Sequence, residues 1–367
     1  MKYNGYSYWD PTWLKIFLSW LAVAFFINEY LVYYIQSYRW PTFPNIPRNS
    51  ERYQVLLLVG DPQIQGYQDE RIFPAGTIAR WDIDRYLRKT FSYAYEYSQP
   101  DVIVFLGDLF DEGSKASKFE YSETLDRFTH IYHETKHTKT IYIPGDNDIG
   151  GEGRDFMTTR KVERFERNFG NMSEIIKFGF IDYVKLHILT HALTEEKVAA
   201  AERLRHKQTS KYTLLLNHQT FMMGPKHFVY PIIKRLQPKL ILSAHWHKVY
   251  RQITTKSNSE LFTCDDCLRD DEYSWTVSRQ DMSFIKTFLN IDMSGEHSMF
   301  ELAVPTCSYR MGMVNIGFTV AILGEDGSLQ FAVLWLPRRY TMLLGYLVAL
   351  IVYIIAYCMN RCGSRRR

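Results

Sequence analysis

Five short apolar runs in this 367-residue chain end on residues able to hold metal ions. VLLLVG is followed by Asp61, Pro62 and Gln63, and DVIVFLG by Asp108, Leu109, Phe110 and Asp111. TIYIPG leads into Asp146, Asn147 and Asp148, TLLLN into His218, and LILSA into His245, Trp246 and His247. Open α/β sheets assemble their sites outside the carboxyl ends of strands, so these loops are expected to converge although they lie far apart in the chain. Carboxylates, one amide and imidazoles in this mixture suit a pair of divalent ions drawn from Mn2+, Mg2+, Zn2+ and Fe2+. Two such ions about 3.5–4 Å apart can activate a water and clamp the attacking and leaving oxygens of a phosphate. Each motif alone is weak, since Gly-Asp-x-x-Asp is common and a lone His-x-His more often sits in an ordinary strand or loop. The ordered series, each member after an apolar run, is what points to phosphoester chemistry.

The elements that must position these residues read as buried strands at 55–59, 102–106, 140–143, 183–189, 214–216 and 240–242. Helical periodicity fills 78–97 and 118–135 between them. Buried strands alternating with helices predict an α/β sandwich. EEKVAAAERLRHKQ at 195–208 reads as an amphipathic, structural helix. No repeat or low-complexity tract is present.

Composition narrows the class. The chain is 46% hydrophobic and 23% charged, with 44 basic and 40 acidic residues and a net charge of +4. A disordered tail and a small disulfide scaffold are excluded, and the near-balance of charge argues against nucleic acid as a partner. The apolar residues concentrate at the two ends. IFLSWLAVAFFINEYLVYYI at 16–35 and YTMLLGYLVALIVYIIAYCM at 340–359 are each long enough to cross a bilayer, which takes about 20 residues. Glu29 would be costly in the first unless paired or near an interface. The rival for that segment is a cleaved signal peptide, but the stretch is long for one and Asn28-Glu29-Tyr30 offers no small-residue cleavage pattern. Trp9, Trp13, Tyr33, Tyr34, Trp40, Trp335 and Tyr340 flank the two segments as an interfacial belt would. Arg361, Arg365, Arg366 and Arg367 place the C-terminal tail in the cytosol by the positive-inside rule, and two spans then put the middle of the chain on the lumenal side. Asn171-Met172-Ser173 is a glycosylation sequon, with Asn171 the acceptor, usable only there.

The motif order resembles the calcineurin-like metallophosphoesterase superfamily: DPQ at 61–63, GDLFDEG at 107–113, GDND at 145–148, NHQ at 217–219 and AHWH at 244–247. KVERFERNFG at 161–170, LQPKLILSAHWH at 236–247 and ELAVPTCSYR at 301–310 narrow the resemblance to the metallophosphoesterase 1 family, and the DPQ form is similar to its fungal members. The likeness covers about 52–337. It implies a metallophosphoesterase-type β-sandwich flanked by helices in four αββα layers, with one transmembrane helix at each end. It further implies removal of an ethanolamine-phosphate branch from a mannose of GPI anchors in endoplasmic reticulum or ER–Golgi membranes, on GPI lipid or GPI-anchored proteins. By the same likeness Asp61, Gln63 and His247 bind one metal, Asp108 bridges, and Asp146, His218 and His245 complete the second. Asp111 would orient neighbouring groups. Gln63 replaces an imidazole common in the superfamily by a harder amide oxygen, so Mn2+ is the first choice of metal. Asp146 stands where the superfamily has a metal-binding Asn, and Asn147 where it has the catalytic His. Asn147 can hydrogen-bond a phosphate oxygen but cannot deliver a proton.

The expected organisation is a cytosolic tail at 1–15, a membrane helix at 16–35, a proline-rich stalk at 36–51, a lumenal domain at 52–337, a membrane helix at 340–359 and a cytosolic tail at 360–367. Residues 250–300 are expected to be a surface insertion with its own small helix. His130, His133 and His137 read as a solvated helix face rather than a metal site. Cys264 and Cys267 read as a local disulfide or two free thiols, and Cys358 and Cys362 as sites where palmitoylation is chemically open. Besides the phosphodiesterase, two readings stay open: a catalytically weak GPI-glycan-binding protein, and a hydrolase of another phosphoester.

Overall fold

The computed structural model describes residues 11–47, 51–70, 73–186, 195–222, 226–255, 276–283, 285–294 and 299–364. They fall into two compact units, residues 1–39 with 337–367, and residues 40–336.

The first unit begins with α1 (Pro11–Phe26), a π-helical turn (Ile27–Leu31) and α2 (Val32–Tyr38). The continuous helix Thr12–Tyr38 and the C-terminal helix Arg339–Cys362 are each long and apolar enough to cross a membrane. The π turn carries Asn28 and Glu29 inward, where both are buried. Glu29 pairs with Arg339 at 2.8 Å and also accepts from the Tyr346 hydroxyl at 3.0 Å. The charge that looked costly in the sequence is therefore neutralised inside the helix pair. Trp20 donates its indole N–H to the Ala349 carbonyl at 2.8 Å, and the Tyr353 hydroxyl donates to the Trp13 carbonyl at 3.0 Å.

The second unit runs β1 (Tyr53–Val59), α3 (Ala75–Ser98), β2 (Val102–Leu106), α4 (Lys118–Ile131), β3 (Lys139–Ile143), the single turn α5 (Asp146–Ile149) and α6 (Thr159–Phe169). It continues β4 (Glu174–Phe178), β5 (Ile181–Lys185), α7 (Glu195–Arg205), β6 (Tyr212–Leu216), α8 (Lys226–Leu236) and β7 (Leu240–Ser243). The remaining strands are β8 (Tyr250–Thr255), β9 (Thr276–Asp281), β10 (Leu289–Asp292), β11 (Met299–Ala303), β12 (Gly317–Gly324) and β13 (Ser328–Trp335), and α9 (Arg339–Ser364) returns the chain to the first unit.

Two mixed sheets result, in the orders β10-β13-β12-β1-β2-β3 and β4-β5-β6-β7-β11-β8-β9. The period-2 alternation of strands explains why they pack as they do. Leu56, Leu58, Val102 and Val104 from one sheet meet Leu214, Leu216, Leu240 and Leu242 from the other in one core. The intervening Leu215 and Ile241 face outward and bury Ala201 and Leu204 of α7 and Ile232, Ile233 and Leu236 of α8. On the opposite outer face, the rings of Phe91 from α3 and Phe128 from α4 close over Phe105. Continuous apolar strands are thus those covered on both faces. Helix α4 starts where a capping box says it should, with Ser117 and Glu120 each satisfying the other's backbone N–H.

The described residues of 250–300 contribute strands to both sheets and include no helix. β8 and β9 extend the second sheet past β11, and β10 edges the first. YRQITT and TVSRQD carry the polar residues of strands at a sheet margin, which is why no continuous apolar run announced them. Residues 256–275, with Cys264 and Cys267, lie outside the described residues. The expected stalk is also packed chain: Trp40 donates to the Trp335 carbonyl at 2.8 Å, and Phe43 stacks edge-on against Tyr97 and Phe288.

Replacing Glu29 by Leu removes the carboxylate from a buried pair and is expected to cost the helix pair about 3–5 kcal/mol, read by equilibrium unfolding in mixed micelles. Exchanging the charges (Glu29→Arg with Arg339→Glu) is expected to recover most of that loss.

Candidate metal centre

The loops after β1, β2, β3, β6 and β7 meet at one end of the sandwich. Their backbones are tied together before any side chain is considered. Gln63 and Ile64 donate to the carbonyls of Asp108 and Leu109 at 2.9 Å each, Asp111 donates back to Ile64 at 3.0 Å, and Ala244 donates to His218 at 2.8 Å. Asp61, Gln63, Asp108, His245 and His247 all have positive φ, between 41° and 66°. Left-handed backbone is uncommon outside glycine and costs energy, and here it is concentrated on candidate ligands, as strain at functional sites tends to be. Gly107, at φ +89°, precedes Asp108, and an added Cβ there would overlap the His218 ring. Only glycine permits that approach.

The side chains converge as two groups that share His218: Asp146 with His218 and His245, and Asp61 with Asp108 and His218, the ligand atoms of each group lying within 4.8 Å of one another. His218 is the centre. Its Nδ1 sits 2.7 Å from the Leu106 carbonyl, which fixes that nitrogen as the donor and turns Nε2 toward Asp146 at 3.2 Å and Asp108 at 3.5 Å. His245 Nδ1 lies 3.3 Å from Asp146, and its backbone N–H donates to Asp61 at 3.3 Å. His247 Nε2 is 3.9 Å from Asp61. The Gln63 amide donates to Asp108 at 3.0 Å.

Electrostatics explain what such a cluster needs. Burial pushes the Asp61 carboxyl up to about 7, with Asp108 adding and His218 opposing. Burial and the neighbouring Asp146 raise Asp108 as well, against His218. For Asp146 burial acts upward, but hydrogen bonds from His218 and His245 outweigh it and hold the carboxyl far below its ordinary range. Burial works against a charged His218, yet Asp108, the Asp146 hydrogen bond and Asp61 lift it to about 10. His247 is lowered to about 4, first by burial and then by the two histidines. The carboxylates thus favour a charged His218, and the Asp61 Oδ2 atom is buried without a hydrogen bond. Hard oxygens, imidazole nitrogens, excess negative charge and an unsatisfied carboxylate oxygen fit divalent cations. Asp61, Gln63, Asp108, Asp146, His218, His245 and His247 are the residues that would hold them.

Asp111 is pushed up to about 6 by burial and then by Glu112, Asp69 and Glu70, with Arg310 opposing. The charges that raise Asp111 are thus a neighbouring acidic group. Asp148 accepts from the backbone N–H groups of Leu109, Phe110 and Gly145 at 2.9–3.0 Å, pinning the Asp108 loop to the Asp146 loop. Asn147 is turned toward Asp108, donating to it from backbone and amide at 3.0 and 2.9 Å. The chain reading also missed Glu152, whose carboxyl hydrogen-bonds Asp146 and is raised by that contact. No spacing rule would have found it, since the irregular Gly-Gly-Glu-Gly segment carries no period. Trp246 is about half exposed, with its indole N–H on Thr220 at 2.8 Å. Asn171 is exposed in the turn before β4, and the described His130, His133 and His137 are solvent-facing.

The sequence profile of calcineurin-like phosphoesterases matches residues 55–249, which takes in all seven ligand positions. The chain belongs to that family of metal-dependent phosphoester hydrolases. It is 24% identical to Cell division control protein 1 of Saccharomyces cerevisiae over 92% of this chain and 74% of that protein. It is 29% identical to Metallophosphoesterase 1 of Pongo abelii over 44% of this chain and 41% of the relative, so it spans under half the length of that protein. Among solved structures, a dimetal phosphatase of Danio rerio aligns at TM-score 0.43 and 10% identity, covering 76% of this chain and 98% of that one. A purple acid phosphatase from yellow lupin aligns at 0.42 and 10%, covering 68% and 54%.

Metal binding competes with protons for the same ligand atoms. His218 carries its proton through neutrality and Asp61 titrates near 7, both shifted upward, so affinity is expected to rise with pH between 6 and 8, by about tenfold per pH unit for each proton released. His247, already neutral there, contributes nothing to the slope. Calorimetry in two buffers of different ionisation enthalpy measures the protons released.

Proposed function

We propose that the chain is a double-pass membrane phosphodiesterase with its domain in the lumen of the endoplasmic reticulum or ER–Golgi membranes, removing ethanolamine phosphate from a mannose of GPI anchors. The observation that carries the hydrolase part is the pair of Asp–His groups joined through His218 at the converged strand ends. The substrate part is supported by the likeness to the metallophosphoesterase 1 family. The location is supported by two apolar end helices and the arginines beyond the second.

A bound pair of divalent ions, with Mn2+ the first choice, would supply an activated water and neutralise charge on the phosphoryl group. The chain's own residues supply the frame. Asp108, grouped with Asp61 and His218, is held by Gln63 and Asn147, so its two oxygens are aimed before any ion arrives. Asn147 can share its amide with a phosphate oxygen but gives no proton to a leaving alkoxide. The exposed face of Trp246 offers the ethanolamine ammonium a cation–π contact worth about 0.5–2 kcal/mol.

Purified protein with Mn2+ is expected to release ethanolamine phosphate from a GPI glycan, detected by mass spectrometry, and Asp108→Asn to abolish that release. Equal turnover by the variant would sink the reading. A glycan-binding role is favoured by one observation, the engagement of Asn147 with Asp108 where the family resemblance implies a proton-donating His. Tight glycan binding with both metals in place and no release would support it. Turnover confined to another diester or a monoester would transfer the activity to a different substrate.

A further inference from the structure

Glu301 lies on β11, beyond the segment that the family profile covers, and it is fully buried in a strand that otherwise reads as apolar. A buried carboxylate is expensive unless every acceptor is used. This one accepts from the Phe221 N–H and the Ser243 hydroxyl on Oε1 and from the Met222 N–H on Oε2, each at 2.7 Å. All three donors lie beside candidate ligands. Phe221 and Met222 follow His218 by three and four positions, and Ser243 precedes His245 by two. β11 runs parallel to β7 with Ala303 opposite Ser243, so the strand that brings Glu301 also fixes the start of the His245 loop. These three hydrogen bonds tie the segment after His218 and the end of β7 to one side chain.

The next turn repeats the device on the other side. Thr306 is fully buried, forms a bridge with Gly60 and donates its hydroxyl to the Asp61 carbonyl at 2.8 Å. Its oxygen in turn accepts from the Ser308 N–H at 3.0 Å. The segment from Glu301 to Thr306 therefore grips the His218, His245 and Asp61 loops without supplying a ligand itself.

We propose that this segment is a positioning strut for the metal pair, in which Glu301 sets the affinity of the ion held by His218 and His245 while Thr306 sets that of the ion held by Asp61. The inference rests on the two-metal reading of the site. Packing alone would have been met by apolar side chains at both positions. What the carboxylate adds is a fixed separation between two imidazoles that approach to 3.1 Å, where a small displacement changes coordination geometry. Outer-shell partners of metal ligands typically govern affinity by about 10–100-fold.

The test titrates Mn2+ into the full chain in detergent and reads the two ions separately by calorimetry and electron paramagnetic resonance. His245→Ala and Gln63→Ala identify which signal belongs to which ion. Glu301→Gln sets an amide NH2 against donors and is expected to weaken the His245 ion by about 10–100-fold while sparing the Gln63 ion. Thr306→Val is expected to show the reverse pattern, and Ser243→Ala a smaller loss in the same direction as Glu301→Gln. Folding of each variant is checked by near-ultraviolet circular dichroism. Wild-type affinity for both ions in folded Glu301→Gln, or equal weakening of both ions, overturns the proposal. Should Glu301→Gln not fold, Ser243→Ala and Thr306→Val decide it, each having to weaken one ion and spare the other. A wild-type chain binding fewer than two ions overturns the two-metal reading itself, and this is seen before any substitution is made.

Discussion

Four aspartates, 61, 108, 146 and 148, are buried within one cluster, and their mutual repulsion in a dry environment is the constraint on which the rest of the unit depends. Like charges out of water cannot all ionise without a counter-charge. His218 can provide one, since Asp108, Asp146 and Asp61 favour its charged form. Divalent cations would answer the same demand more completely. The site is thus best understood as a high-energy arrangement of anions that the fold keeps from relaxing.

What prevents relaxation is distributed over the sandwich. Strands buried on both faces leave no room for the ends of β1, β2, β6 and β7 to move apart, because Leu56, Val104, Leu214 and Leu242 share a single core. Left-handed backbone at five candidate ligand positions stores strain that this rigidity sustains. Asp148 closes the Asp108 loop onto the Asp146 loop, and Glu301 closes the His218 loop onto the His245 loop. Each uses a buried carboxylate to collect donors from two segments, Asp148 three backbone N–H groups and Glu301 two backbone N–H groups and the Ser243 hydroxyl.

The end helices solve a separate problem with the same chemistry. Glu29 and Arg339 neutralise each other in an apolar setting, and the π turn supplies the extra backbone that brings Glu29 inside. Removing either partner leaves an exposed cost rather than a lost gain, which is why such pairs specify which helices associate more than they raise stability. That the first segment contributes half of this pair gives it a structural task in the folded chain.

The candidate ligands were legible in the chain because their logic is local. An apolar run followed by Asp, His or Gln marks a strand with its polar payload at the carboxyl end, and Asp61, Asp108, Asp146, His218 and His245 do converge, although β3, which leads to Asp146, is a partly exposed edge strand rather than one buried on both faces. The apolar end segments were equally plain, since length and composition alone define them. Tertiary structure decided whatever depends on contacts across the sheets. Asp111 and Asp148 are both acidic residues beside a motif, and only the fold shows that one faces Glu112 and Asp69 while the other pins two loops. The polar strands β8 and β9 gave no periodic signal, because their residues answer to neighbours at the sheet margin rather than to a shared core. Glu301 lies more than fifty residues from His245, and its role exists only where β11 is laid beside β7. A sequence states which groups are available; the distances at which buried charges meet, and hence their protonation and strain, are set by packing that no local pattern contains.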